Sequence, residues 1–313
     1  MKKEDSIIAK GRWPASGASD RRRKPLIPTK ENPLIISASE LRDFLTCRVK
    51  WNWRYNRLIV PKETSPALTM GSLGHQLAAS WYDLPASKRT VKAMEKIAKK
   101  MLKGTRPREL SKADFDTLYA MSVGYAAWAR PRDRELGIRT VKTEQWFELP
   151  LTDDGLIIVR GFIDGVFKLH SLKRTMGCFE HKFKSQIRMG TLDINLQLSV
   201  YLWALRRLYP KFKRYIGYFQ ILKKKIPGPR SKADLFAREP IERMDEEIDQ
   251  WALDTERACL DMLDAAIYPN PSDSCSWMCD YETPCLLRGR PEDLEHIFKT
   301  QYKKKPKKKK GKK

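Results

Sequence analysis

One acid interrupts the apolar run Gly161-Phe162-Ile163-Asp164-Gly165-Val166, and sixteen residues after it Glu180-His181-Lys182 interrupts a second run. Carboxylates are costly to bury unpaired in strands of this composition, and two arriving on neighbouring strands are most simply explained by a shared divalent cation. Side chains alternate along a strand, so Glu180 and Lys182 project to one side and His181 to the other. Asp164, Glu180 and Lys182 then converge on one point. A chain carrying this pattern must build a sheet with a charged centre.

The surrounding pattern supplies the rest of such a fold. Ser37-Ala38-Ser39-Glu40 reads as a capping box opening a helix with Leu41, Phe44 and Leu45 on its apolar face. Further helices are predicted over 71–82, 91–103 and 113–130, with a turn at 104–107. From Val141 the texture becomes strand-like: Trp146 to Leu149, then 156–159, 162–169 and 178–183, with Asp153-Asp154-Gly155 as a hairpin turn. Residues 193–209 return to helical spacing, 215–222 form another strand, 223–230 a loop and 241–268 a long amphipathic helix. Helices around a run of strands predict an α/β core with a helical insertion at about 84–140.

The chain has 313 residues, 41% of them hydrophobic with nine Trp, enough for one good-sized core or two smaller ones. Its formal charge is +24. Residues 1–30 carry nine basic and three acidic side chains and residues 303–313 nine lysines and no acid, which leaves +9 on residues 31–302. A basic body with two basic arms favours a polyanion such as nucleic acid, while the lysine tail by itself is equally read as a solubilising or localisation segment. With no run of eighteen apolar residues and no signal-like N-terminus, the expectation is an intracellular, cytoplasmic protein without a membrane partner. Six cysteines there argue against structural disulfides.

An acid ending one strand and Glu-x-Lys on the next, set between Gly71-x-x-x-His75 and Gln197-x-x-x-Tyr201, resemble the PD-(D/E)XK nuclease superfamily. More narrowly they resemble its branch of RecB and AddB nuclease domains and CRISPR-associated RecB-like exonucleases. The resemblance runs from Ser37 to Cys285, and a stand-alone nuclease of this size suits a bacteriophage or mobile element, whose product would act in a host bacterial cytoplasm. It implies a restriction-endonuclease-like fold, a mixed β-sheet flanked by helices, in residues 31–302, with a basic arm at 1–30 and a lysine tail at 303–313. It also implies site roles: His75, Asp164, Glu180 and the backbone carbonyl of His181 as ligands of magnesium or manganese, Lys182 orienting water, Gln197 and Tyr201 positioning the DNA backbone. An acid on the preceding strand is matched to Glu144. The implied activity is metal-dependent hydrolysis of DNA at ends or in single strands, by an exonuclease in replication, recombination or repair alongside proteins of those pathways. A non-catalytic DNA-binding protein on the same fold is the alternative.

Cys275-Ser276-Trp277-Met278-Cys279 and Cys285, with Cys47 alone near the N-terminus, form a second signal. Four thiolates without a histidine suit an iron-sulfur cluster or zinc. The layout resembles the iron-sulfur staple of the same branch, in which an N-terminal cysteine and three C-terminal ones hold a 4Fe-4S cluster joining the two ends. Two details depart from that pattern: three residues rather than two separate Cys275 from Cys279, and Arg48 follows Cys47 where proline is common. Cys178, in a strand, and Cys259, in a helix, read as core residues.

Overall fold

The computed structural model describes residues 27–104, 107, 110–184, 195–226 and 235–305. Most of the basic N-terminal arm, the lysines beyond 305, the loop at 227–230 and the first residues of the helix predicted from 193 lie outside the described residues. In chain order the elements are β1 Leu34–Ile36, α1 Ala38–Thr46, α2 Arg48–Trp51, β2 Ile59–Pro61, α3 Pro66–Tyr82, α4 Val91–Gly104 and α5 Lys112–Glu135. There follow β3 Ile138–Pro150, β4 Ile157–Leu169, β5 Thr175–Lys184, α6 Leu196–Leu208, β6 Arg214–Lys223, β7 Phe236–Glu242 and α7 Asp245–Leu263. The chain closes with α8 Cys275–Met278, α9 Glu282–Leu286, α10 Pro291–Gln301 and β8 Tyr302–Lys304. No helix among the described residues is long and apolar enough to cross a membrane.

Two compact units emerge. One comprises residues up to Glu63, Pro150–Ile158 and the chain from Asp254 onward; the other comprises Thr64–Leu149 and Val159–Leu253. The second unit contains a mixed sheet: β3 pairs with β4, β4 with β5 antiparallel, β5 with β6 parallel, and β6 with β7 antiparallel. Alternation along the strands assigns the two faces. Phe179, Ile216 and Tyr218 join Trp81, Tyr82, Leu118 and Tyr125 of α3 and α5 in one core, while Gly217 is turned to Leu198 of α6. The sheet is therefore helix-covered on both sides, which lets its central strands be almost continuously apolar.

Several sequence expectations are corrected. Segments 156–159 and 162–169 are a single strand, because Gly161 lets the Phe147 ring lie against the backbone, 3.1 Å from where a Cβ would stand, without interrupting β4. The predicted helix at 241–268 begins only at Asp245, and the residues before it form β7, an edge strand whose Arg238, Glu239 and Pro240 conceal its strand character. A π-helical turn over Asn52–Asn56 and the helix α10 were not foreseen. Lys303 and Lys304, read as the start of the lysine tail, pair in β8 with β2. The hairpin at Asp153-Asp154-Gly155 turns as expected, with Asp154 Oδ1 accepting from the Leu156 N–H at 2.9 Å and Gly155 in the left-handed region at φ 73°.

In the first unit Ser37 caps α1 by accepting from the Glu40 N–H at 3.2 Å. Trp53, Tyr281 and Tyr302 form a small aromatic core there, with Tyr281 donating to the Ile59 carbonyl at 2.6 Å.

Candidate active site

The β4–β5 ladder ends at the Gly165–Phe179 pair, next to Asp164 and Glu180. There the Asp164 carboxylate takes over as acceptor: the His181 backbone N–H donates to its Oδ2 at 2.7 Å. The same oxygen lies 3.2 Å from His75 Nδ1 and 3.5 Å from His181 Nδ1. His75 reaches it from α3, and its ring stacks edge-on against Phe183 with centroids 5.1 Å apart. Burial opposes ionisation of Asp164, but the His181 and His75 side chains hold its carboxyl well below the usual range. His75 is raised despite its burial, because Asp164 stabilises its charge, whereas burial lowers His181.

Glu180 is fully buried on the α6 side of β5, ion-paired with Lys182 one strand period on. Its Oε2 accepts no hydrogen bond among the described residues. Burial therefore pushes its carboxyl well up, only partly opposed by Lys182. Lys182 Nζ also donates to Gln197 Oε1 at 2.8 Å, and Gln197 Nε2 donates to the Tyr201 hydroxyl at 2.9 Å. Gln197 and Tyr201 lie one turn apart on α6, whose N-terminus is capped by the Asn195 side chain accepting from Leu198 N–H at 3.1 Å. Burial, with the nearby charges of Glu180 and Asp164, drives the Tyr201 phenol far above its ordinary value, so it remains protonated.

A cleft of about 1000 Å³ opens over these groups, lined among others by Ser72, His75, Lys142, Glu144, Asp164 and Gln197. Glu144 enters from β3 at φ 44°, a left-handed conformation uncommon outside glycine and asparagine. The strand changes phase before it, at the consecutive exposed residues Val141 and Lys142, so that Ile138 and Phe147 are both buried although nine residues apart. Burial raises the Glu144 carboxyl, with Asp164 adding to the effect.

Among the described residues, donor atoms of His75, Asp164 and His181 gather within 4.8 Å of one another. This differs from the sequence reading in two respects: Glu180 contributes no donor atom to the group, and His181 enters it through its imidazole. His181 was given a role through its carbonyl alone, because its side chain faces away from Glu180 and Lys182. It does face away, yet beyond the end of the ladder Asp164 is reached from that side too. The gathered residues fit a divalent cation, offering one carboxylate between two imidazoles, while the Glu180 carboxylate lies outside the group.

Behind His181 lies a network that no local pattern announced. Its Nε2 is 3.3 Å from the Tyr125 hydroxyl and 3.2 Å from Gln220 Nε2. Tyr125 donates to Gln220 Oε1 at 2.7 Å; Arg238 donates to that oxygen and, at 2.7 Å, to Asp133 Oδ1. These residues come from α5, β6 and β7, and only the parallel register that sets His181 beside Gln220 reveals them.

The matched family settles the class. A profile described as the PD-(D/E)XK nuclease superfamily matches residues 35–286. The chain belongs to that superfamily. Among solved structures it is similar to the crystal structure of a candidate exonuclease from Eubacterium rectale, at 13% identity and TM-score 0.44, over 79% of this chain and 90% of the other. No curated protein matches the chain.

In the first unit Cys47, Cys279 and Cys285 pack on the Trp53–Tyr281–Tyr302 core, and Cys275 starts α8. Burial raises the Cys279 and Cys285 thiols, each of which also feels the charge of Cys47 and Cys275. The four thus share one neighbourhood, but they are not among the side chains drawn together closely enough to share a single ion. Cys178 and Cys259 are buried in the core, their thiols raised by burial.

Gly74 tests how tightly His75 is held. A Cβ on Gly74 would stand 2.5 Å from the Phe183 ring, which itself backs His75. Gly74→Val is expected to lower stability by about 1–3 kcal/mol through overpacking. It should also weaken metal-dependent activity by moving His75, as thermal melting and a nuclease assay would show.

Proposed function

We propose that this protein is a divalent-metal-dependent DNA exonuclease of the RecB/AddB-like branch, acting at DNA ends or on single strands in replication, recombination or repair. The observation that carries the reading is one cleft lined by Asp164, His75 and Gln197, with Gln197 bonded to Lys182 and Lys182 paired with Glu180. His75, Asp164, Glu180 and the His181 carbonyl would hold magnesium or manganese. When bound, such an ion polarises the scissile phosphate and lowers the pKa of its water. Lys182, oriented by Gln197, which is oriented in turn by Tyr201, sits where it can align the attacking water and offset charge developing on the phosphate. Glu144 lines the same cleft. No nucleophilic side chain is required.

A 4Fe-4S cluster on Cys47, Cys275, Cys279 and Cys285 belongs to the same proposal, as a structural clip between chain segments far apart in sequence; the all-thiolate donor set supports it, with zinc as the rival occupant. Anaerobic purification with a visible spectrum and iron, sulfide and zinc analysis decides between them. Digestion of end-labelled linear and circular DNA tests the activity: linear DNA is expected to be consumed and circles spared, and cleavage of circles would remove the exonuclease reading.

Metal binding carries a pH signature. Glu180 and His75 hold their protons more tightly in the metal-free fold than when unfolded. Their contribution to stability is therefore greatest below the ordinary values of 4.5 and 6.5, and is lost as pH rises through the folded values. A cation must displace those protons, so its affinity rises with pH. The rise in melting temperature produced by manganese should accordingly be larger at pH 8 than at pH 6. A shift independent of pH would place the metal elsewhere.

A further inference from the structure

Trp146 and Phe162 form a half-exposed aromatic pair, 43% and 48% accessible, with ring centroids 4.7 Å apart and planes at 55°. They are not stray core residues. Their chain neighbours Phe147 and Ile163, 2% and 0% exposed, point into the core on the opposite side of the same strands. Phe162 precedes Asp164 by two residues on β4, and Trp146 follows Glu144 by two on β3, so the pair lies about 7 Å along the strands from the acids of the cleft. Alternation continues the series outward along β4 as Asp164, Phe162 and the exposed Arg160. Lys142 lines the cleft from β3.

An acid centre, an open aromatic surface and a cation thus follow one another on one strand face. Bases within a duplex have their faces covered by neighbouring pairs, so an exposed ring beside a phosphate-cleaving centre can be used only by an unpaired base. Stacking tolerates any sequence, because every base offers a π-face, and the flanking arginine and lysine suit the adjoining phosphates. We propose that Trp146 and Phe162 are a stacking platform for a base of a single-stranded nucleic acid whose scissile phosphate occupies the Asp164 cleft, with Arg160 and Lys142 on neighbouring phosphates. This rests on the nuclease reading and narrows its substrate to an unpaired strand.

The test is binding of the full-length protein, in chelator, to oligodeoxythymidylate and to a blunt duplex, followed by fluorescence anisotropy, with thermal melting of each variant as a fold control. Trp146→Ala and Phe162→Ala are expected to weaken oligodeoxythymidylate binding roughly five- to hundredfold, while Trp146→Phe keeps most of the affinity. With metal added, the same two variants should raise KM for the single strand far more than they lower kcat. Unchanged oligodeoxythymidylate affinity in both alanine variants overturns the platform, as does an equal loss on blunt duplex. Because the binding arm needs no cleavage, its outcome stands apart from the nuclease reading: a Trp146-dependent affinity in a protein that cleaves nothing with magnesium or manganese would retain the platform and sink the catalysis.

Discussion

Lys182→Ala folds but degrades linear DNA at least 10²–10³-fold more slowly than the unaltered protein, the range observed when one preorganised electrostatic group is removed from a reaction centre. The expectation follows from geometry. Lys182 is paired with Glu180, and Gln197, itself held by Tyr201, accepts from its ammonium on the α6 side. The fold should survive because Glu180, already pushed up by burial, can take a proton when its partner is gone. Single-turnover digestion of end-labelled DNA with magnesium or manganese, beside a thermal melt, checks both parts. Full activity in Lys182→Ala would mean that the reaction centre has been assigned to the wrong residues. Glu180→Ala should be as inactive, and should in addition lose the manganese-induced rise in melting temperature.

Arg238→Ala should cost about 3–5 kcal/mol of stability, as expected when one partner of a buried ion pair is removed. Its side chain is 5% exposed and Asp133 9%. The guanidinium donates to Asp133 and Gln220 and lies 5.4 Å from the Tyr218 centroid and 5.6 Å from those of Trp128 and Phe179. Removing it leaves the Asp133 carboxylate without its cation in the core. Urea unfolding measures the loss. A double variant, Asp133→Leu with Arg238→Met, should recover a large part of it, because apolar groups of similar volume avoid the desolvation penalty altogether. If Arg238→Ala unfolds at the same urea concentration as the unaltered protein, the pair is not structural.

The residues that first drew attention were legible because each belongs to a short motif. Asp164, Glu180 and Lys182 stand out as charge in apolar strands, and His75, Gln197 and Tyr201 sit at one-turn spacings on helices. Local capping was equally readable at Ser37. What escaped detection depends on pairing between distant segments. Strand β7 was hidden because an edge strand can carry Arg238, Glu239 and Pro240 without loss, and so reads as polar chain. Gly161 looked like a break between two strands, whereas it is the place where Phe147 crosses the backbone of one. The phase change at Val141 and Lys142, which leaves Trp146 outward and Phe147 inward, has no signature in composition.

Local sequence was enough to define the class of chemistry available: two carboxylates, a lysine and a histidine in strand and helix contexts, a basic excess and four spaced cysteines. These follow from local periodicity, which fixes on which face of its own element a side chain lies. Which of those faces meet follows from long-range packing. The end of the β4–β5 ladder lets Asp164 accept from the His181 backbone while both imidazoles approach it, and the parallel register of β5 and β6 sets His181 against Gln220 and, through it, Arg238 and Asp133. Long-range pairing brings together residues a hundred positions apart, and nothing in the local sequence around either partner encodes the other.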